Sequence, residues 1–140
     1  MKFFYISIIS FFYLNFTQIS GAADGVPEIT RKARAKIATV KLESSEGIAL
    51  LYVRGMTCPS CAIGIRVKIS KLDFVDSSRF KRGVDMDCNN QLLSVAVKKG
   101  GVLNWSQIIE KIDDAGYVAV ERFSLGKNGL QVSPLDQSSK

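Results

Sequence analysis

The chain contains no histidine. That absence removes the side chain that most often acts as a general base near neutral pH and most often binds metals. A Ser-His-Asp or Cys-His constellation cannot be assembled, so most enzyme templates fail and no enzymatic activity is expected. Zinc sites that draw on histidine are excluded for the same reason. Proline is scarce as well, confined to Pro27, Pro59 and Pro134. None of these stands where a thioredoxin-like protein would need a proline facing its cysteine pair. Acidic residues are outnumbered, giving a formal charge of +6. The basic residues are nonetheless scattered among apolar ones, as on solvated faces of ordinary elements, so no nucleic acid is expected as a partner. At 140 residues there is room for one modest domain with appendages and not for two cores.

The first residues have the layout of a secretory signal. Lys2 is followed by an apolar run from Phe3 to Leu14, then by polar Asn15, Thr17, Gln18 and Ser20. Gly21 and Ala23 supply small residues for a cut after Ala23, and the run is shorter than the roughly 20 residues that span a bilayer. Residues 1–23 are therefore expected to be a signal peptide, with an uncleaved anchor as the alternative. Localisation is expected to be periplasmic or secreted. Residues 24–47 are polar and basic and read as a linker. Within them 28–38 fit a short helix while 36–42 alternate like a strand, and the pattern does not choose between the two.

Ile48 to Arg54 is a compact run of strand formers ended by Gly55. After Met56-Thr57-Cys58-Pro59-Ser60-Cys61, the residues Ala62, Ile65, Ile69 and Leu72 recur at helical spacing. Gly64, inside that helix, costs roughly 1 kcal/mol against alanine with no evident reason. Residues 79–87 and 92–97 suggest two strands joined by a polar turn. Asn104 caps a second helix whose buried stripe is Trp105, Ile108, Ile109, Ile112 and Ala115, with Gly116 closing it. Val118 to Phe123 supplies a last strand, and the tail 124–140 has little to bury. The order is that of an α+β, ferredoxin-like βαββαβ sandwich, with two helices on one face of a four-stranded antiparallel sheet. The domain spans 48–123.

Chemistry is carried by the cysteines. A Cys-x-x-Cys pair between a strand and a helix places two sulfurs close together where backbone amides favour the thiolate. Thiolates select soft ions such as Cu+ or Hg2+, which accept two sulfurs, whereas zinc would want four ligands and finds only Cys88, Asp85 or Asp87 to complete them. Cys58 and Cys61 are thus the candidate metal ligands, with the metal carried as cargo. Two other readings stay open: a thiol-disulfide oxidoreductase, and an interaction module stapled by a Cys58–Cys61 disulfide. Cys88 is left over as a third ligand, an intermolecular disulfide partner or an idle thiol.

The run Gly55-Met56-Thr57-Cys58-Pro59-Ser60-Cys61 resembles the Gly-Met-Thr-Cys-x-x-Cys signature of heavy-metal-associated domains. That family includes copper chaperones, metal-pump modules and periplasmic mercuric-ion binding proteins. Asp114-Ala115-Gly116-Tyr117 is similar to a second family feature. The resemblance implies that Cys58 and Cys61 bind the ion, that Met56 anchors the loop in the core and that Tyr117 lies near the metal. It also implies a monomer that passes the ion to a membrane transporter or another thiol-bearing acceptor.

Overall fold

The computed structural model describes residues 29–135. The expected signal peptide, the first part of the expected linker and residues 136–140 lie outside them. The described chain runs α1 (Arg31–Ser44), β1 (Ile48–Arg54), α2 (Ile63–Ile69), β2 (Val84–Asp87), β3 (Leu92–Ala96), α3 (Trp105–Asp113), β4 (Val118–Gly126) and β5 (Gly129–Pro134). The strands form one sheet in the order β2-β3-β1-β4-β5, with every neighbouring pair antiparallel. The class is α+β, but the expected four strands and two helices become five and three.

The two faces of the sheet are both covered. Strand geometry sends alternate side chains to opposite faces, and Ala49, Leu51 and Val53 of β1 join Leu93, Val95 and Ala119 beneath Ile65 and Ile69 of α2 and Ile108 and Ile112 of α3. The intervening residues Leu50 and Tyr52, with Leu92 and Phe123, form a second cluster against Ala38 of α1. Double coverage explains why β1 and β3 are buried almost throughout and why β1 reads as a continuous apolar run instead of an alternating one.

Helix α1 replaces most of the expected linker. Thr30 caps it, its hydroxyl accepting from the Ala33 N–H at 3.2 Å. The residues it buries best are Arg34 and Ala38, one turn apart. The Arg34 guanidinium lies 3.5 Å over the centre of the Tyr52 ring, and its Nε and Nη2 donate to the carbonyls of Asn90 and Ile29. Arg31 pairs with Glu121 at 2.8 Å, and Lys41 reaches Asp85 and Asp87 at 3.2 and 3.5 Å. The strand alternative at 36–42 fails because these residues lie within α1, which turns Ala38 onto the sheet and Val40 outward.

Two further expectations are corrected. The tail does not begin at Ser124: β4 continues to Gly126, turns through Lys127 and Asn128, and returns as β5 with Leu125 opposite Leu130 and Phe123 opposite Val132. Residues 79–83 are turn and not strand. Phe80 and Arg82 have positive φ, and the Gly83 N–H closes back onto the Arg79 carbonyl at 2.8 Å. Gly83 itself has φ +82, and a Cβ there would collide with Val75 Cγ1 and lie 2.9 Å from the Asp76 carbonyl oxygen. Glycine is therefore required at this position.

Helices α2 and α3 position the cysteine loop. In α3 the Asn104 side chain accepts from Gln107 N–H at 3.2 Å. At the other end Gly116, with φ +84, and Tyr117 donate to the carbonyls of Asp113 and Ile112. Those paired bonds are a Schellman cap, and they turn Tyr117 back toward the loop that follows β1.

Candidate metal centre

The loop from Gly55 to Ala62 links the end of β1 to the start of α2. Gly55 has φ +83, which allows the chain to turn sharply out of the sheet. Met56 then drops into the main core with no exposed surface. A fully buried methionine beneath the loop anchors its backbone, the packing role expected of Met56. The Thr57 N–H donates to the Gly55 carbonyl at 2.9 Å, and Ala62 N–H closes on the Cys58 carbonyl at 3.0 Å. Cys58 and Cys61 fall in the turn between those bonds, Cys58 half-buried and Cys61 exposed.

The two thiols are brought together. Cys61 N–H donates to Cys58 Sγ at 3.4 Å, and the two side chains hydrogen-bond one another. The bond from the Cys61 thiol is the main reason Cys58 is held below the ordinary cysteine range, helped by the backbone N–H groups of Cys61 and Ser60. Cys61 moves the opposite way, because its proton is held by the Cys58 sulfur and because the Cys58 charge opposes a second ionisation. Cys58 is thus the sulfur that ionises more readily and Cys61 the one that keeps its proton longer. All three cysteines are free thiols.

Cys88 is placed differently. It follows β2, is only 8% exposed, and packs in the main core cluster with Met56 and Ala62. Burial pushes its thiol up, the Cys58 charge adds to this, and Arg66 works in the other direction. Its burial disfavours pairing with a cysteine of another chain. Among the described residues no group of three or more Cys, Asp or Glu side chains converges as a metal site. The donor set at the loop is two sulfurs, which suits a soft ion that accepts two thiolates and not one that demands four ligands.

Tyr117 is brought to the loop. A Cβ on Gly55 would sit 3.8 Å from its Cδ1. Its hydroxyl is pushed up first by burial and then by the charges of Cys61, Cys58 and Cys88. A residue the motif did not single out also reaches the loop root: the Gln91 side chain accepts from the Gly55 N–H at 2.9 Å. Its only sequence signal was membership of the polar turn containing Cys88.

Residues 50–118 match the family model of the heavy-metal-associated domain. No curated protein and no solved structure matches the chain. The matched segment runs from β1 to the start of β4, so α1 and β5 are additions outside it.

Proposed function

The segment 50–118 is a heavy-metal-associated domain, and from that premise we propose that the protein is an exported carrier of a soft metal ion. Cys58 and Cys61 hold the ion between two thiolates and release it to another thiol. The observation that carries this reading is the hydrogen-bonded sulfur pair on an exposed loop, with Cys58 already inclined to ionise.

Transfer follows from the same asymmetry. A two-coordinate ion leaves room for an incoming thiolate, so exchange proceeds by adding the acceptor's sulfur before a resident sulfur departs. Cys61 is the more exposed of the two and holds its proton more tightly. It is therefore the sulfur that takes up a proton and leaves first, while Cys58 departs when a second acceptor sulfur arrives. The buried Met56 keeps the loop from collapsing when the ion goes.

The cargo is Hg2+, with Cu+ as the alternative that the dithiolate also suits. Export rests on the signal layout of residues 1–23 and favours a periplasmic scavenger that feeds a membrane transporter or other thiol-bearing acceptor. Titrating the reduced protein with each ion against a competing chelator tests this. A tight one-to-one complex supports the carrier reading, and weak binding of both ions contradicts it.

A further inference from the structure

The turn after β2, Cys88-Asn89-Asn90-Gln91, is attached to both the cysteine loop and α1. Gln91 is 7% exposed and has φ +54, a left-handed conformation that disfavours a residue bearing a side chain. That conformation lets one residue hold the loop root twice. The Gln91 main-chain carbonyl accepts from Val53 N–H at 3.0 Å, and its side-chain oxygen accepts from Gly55 N–H at 2.9 Å. These two donors bracket the point where β1 ends and the chain turns toward Cys58.

Apart from the sheet pairing of Val53 and Arg54 with Ala119 and Val118 of β4, the loop root makes two local bonds: Met56 N–H to the Val53 carbonyl at 3.4 Å and Thr57 N–H to the Gly55 carbonyl at 2.9 Å. Neither ties the loop to the sheet's far side. The turn that supplies Gln91 is itself braced, since the Asn90 side chain and N–H donate to the Asp87 carboxylate and Arg34 of α1 donates to the Asn90 carbonyl. A buried polar side chain on a positive-φ backbone, whose oxygen accepts from a main-chain N–H at the base of a functional loop, marks a residue that positions that loop.

We infer that Gln91 is a positioning residue for the metal loop: its side-chain oxygen, through Gly55 N–H, sets the loop in the geometry that holds both sulfurs on one ion. The inference rests on the carrier reading for its metal readout and on the hydrogen bond for a second, independent one. Gln91→Met keeps the side-chain volume and loses the oxygen. Gln91→Gly also loses the oxygen but relieves the positive φ. The two variants therefore alter stability differently while deleting the same bond.

The test measures amide hydrogen exchange and, separately, release of Hg2+ to excess chelator in wild type and both variants of the full chain. Both variants should lose at least tenfold of the Gly55 amide protection while the Leu51 and Leu93 amides in the core keep theirs. Both should also release the ion at least fivefold faster, whichever is the more stable. Wild-type protection at Gly55 in either variant overturns the inference, as does a release rate that follows thermal stability instead of the loss of the oxygen. Failure of the wild type to bind Hg2+ or Cu+ would contradict the carrier reading alone, and the Gly55 exchange would still decide what Gln91 holds.

Discussion

The main-chain N–H of Cys61 points at Cys58 Sγ from 3.4 Å, so the second cysteine of the pair stabilises the thiolate of the first. The asymmetry sets an order of reaction. With limiting iodoacetamide near neutral pH, Cys58 should be alkylated before Cys61 even though Cys61 is the more exposed. Peptide mass spectrometry reads the order directly. In Cys61→Ala the thiol donor is lost, and the pH profile of Cys58 alkylation should move to higher pH. An unmoved profile would show that the Cys61 side chain does not lower Cys58.

Proton release on metal binding follows from the same two directions. Both sulfurs must be thiolates in the complex. In the window between the depressed Cys58 value and the raised Cys61 value, Cys58 is already ionised, so binding should release close to one proton per ion. Below that window release should rise toward two and affinity should fall with pH; above it, release should approach zero. Calorimetry in buffers of different ionisation enthalpy counts the protons.

Cys88 should be dispensable for binding. Cys88→Ala removes a buried sulfur and is expected to cost roughly 1 kcal/mol in stability, from lost apolar contact and a small void. The number of ions bound should not change. Native alkylation should spare Cys88, and unfolding should expose it. A changed stoichiometry in Cys88→Ala would make it a ligand.

Much of the core was legible in the sequence because its signals were local. The 3.6-residue stripe of α3, the Asn104 cap and the Gly116 stop each depend on neighbours a few residues away, and all three stand in the structure. The meeting of Cys58 and Cys61 was legible from their spacing and the following helix. Helix α1 was legible only as one of two readings, a helix over 28–38 against a strand over 36–42, because its best-buried large side chain is an arginine and leaves no apolar stripe to decide. Arg34 is accepted there only because Tyr52 and two backbone carbonyls wait for it, and these are contributed by segments far along the chain or outside the helix. The continuous apolar run of β1 read as a buried strand, but the expected two helices on one face left the other face of the sheet without the cover that α1 supplies. The β4–β5 hairpin carries a local signal in Asn128-Gly129 between Leu125 and Leu130, but the few apolar residues around it are too sparse to mark a strand by themselves. Gln91 was hidden for the same reason as Arg34: its partner, Gly55, lies on another element.

Two glycines should respond in opposite ways to alanine. Gly64 faces Ala115 with room for ordinary contact, a Cβ lying 3.8 Å from that of Ala115. Gly64→Ala should therefore be neutral or stabilise by up to about 1 kcal/mol through helix propensity. Gly83→Ala should destabilise by about 2 kcal/mol or more, since it adds a strained φ to a collision with Val75 and the Asp76 backbone. Urea denaturation of the two variants compares them on one scale.

The packing of α1 can be probed without touching the cysteines. Ala38 has no exposed surface and lies against Leu50, Tyr52, Leu92 and Phe123. Ala38→Leu should overpack this layer and cost about 1–3 kcal/mol while the folded protein still binds one ion. Unchanged stability would mean that α1 does not sit closely on the sheet.

The central claim is that Cys58 and Cys61 together hold one soft ion, and ultraviolet absorption tests it most directly. Reduced wild type and Cys58→Ser are each titrated stepwise with Hg2+ and with Cu+. In wild type a sulfur-to-metal charge-transfer band should grow until one ion is bound per chain and then stop, and in Cys58→Ser that saturating band should be lost. A wild type without the band, or a band of equal strength and stoichiometry in Cys58→Ser, would contradict the account.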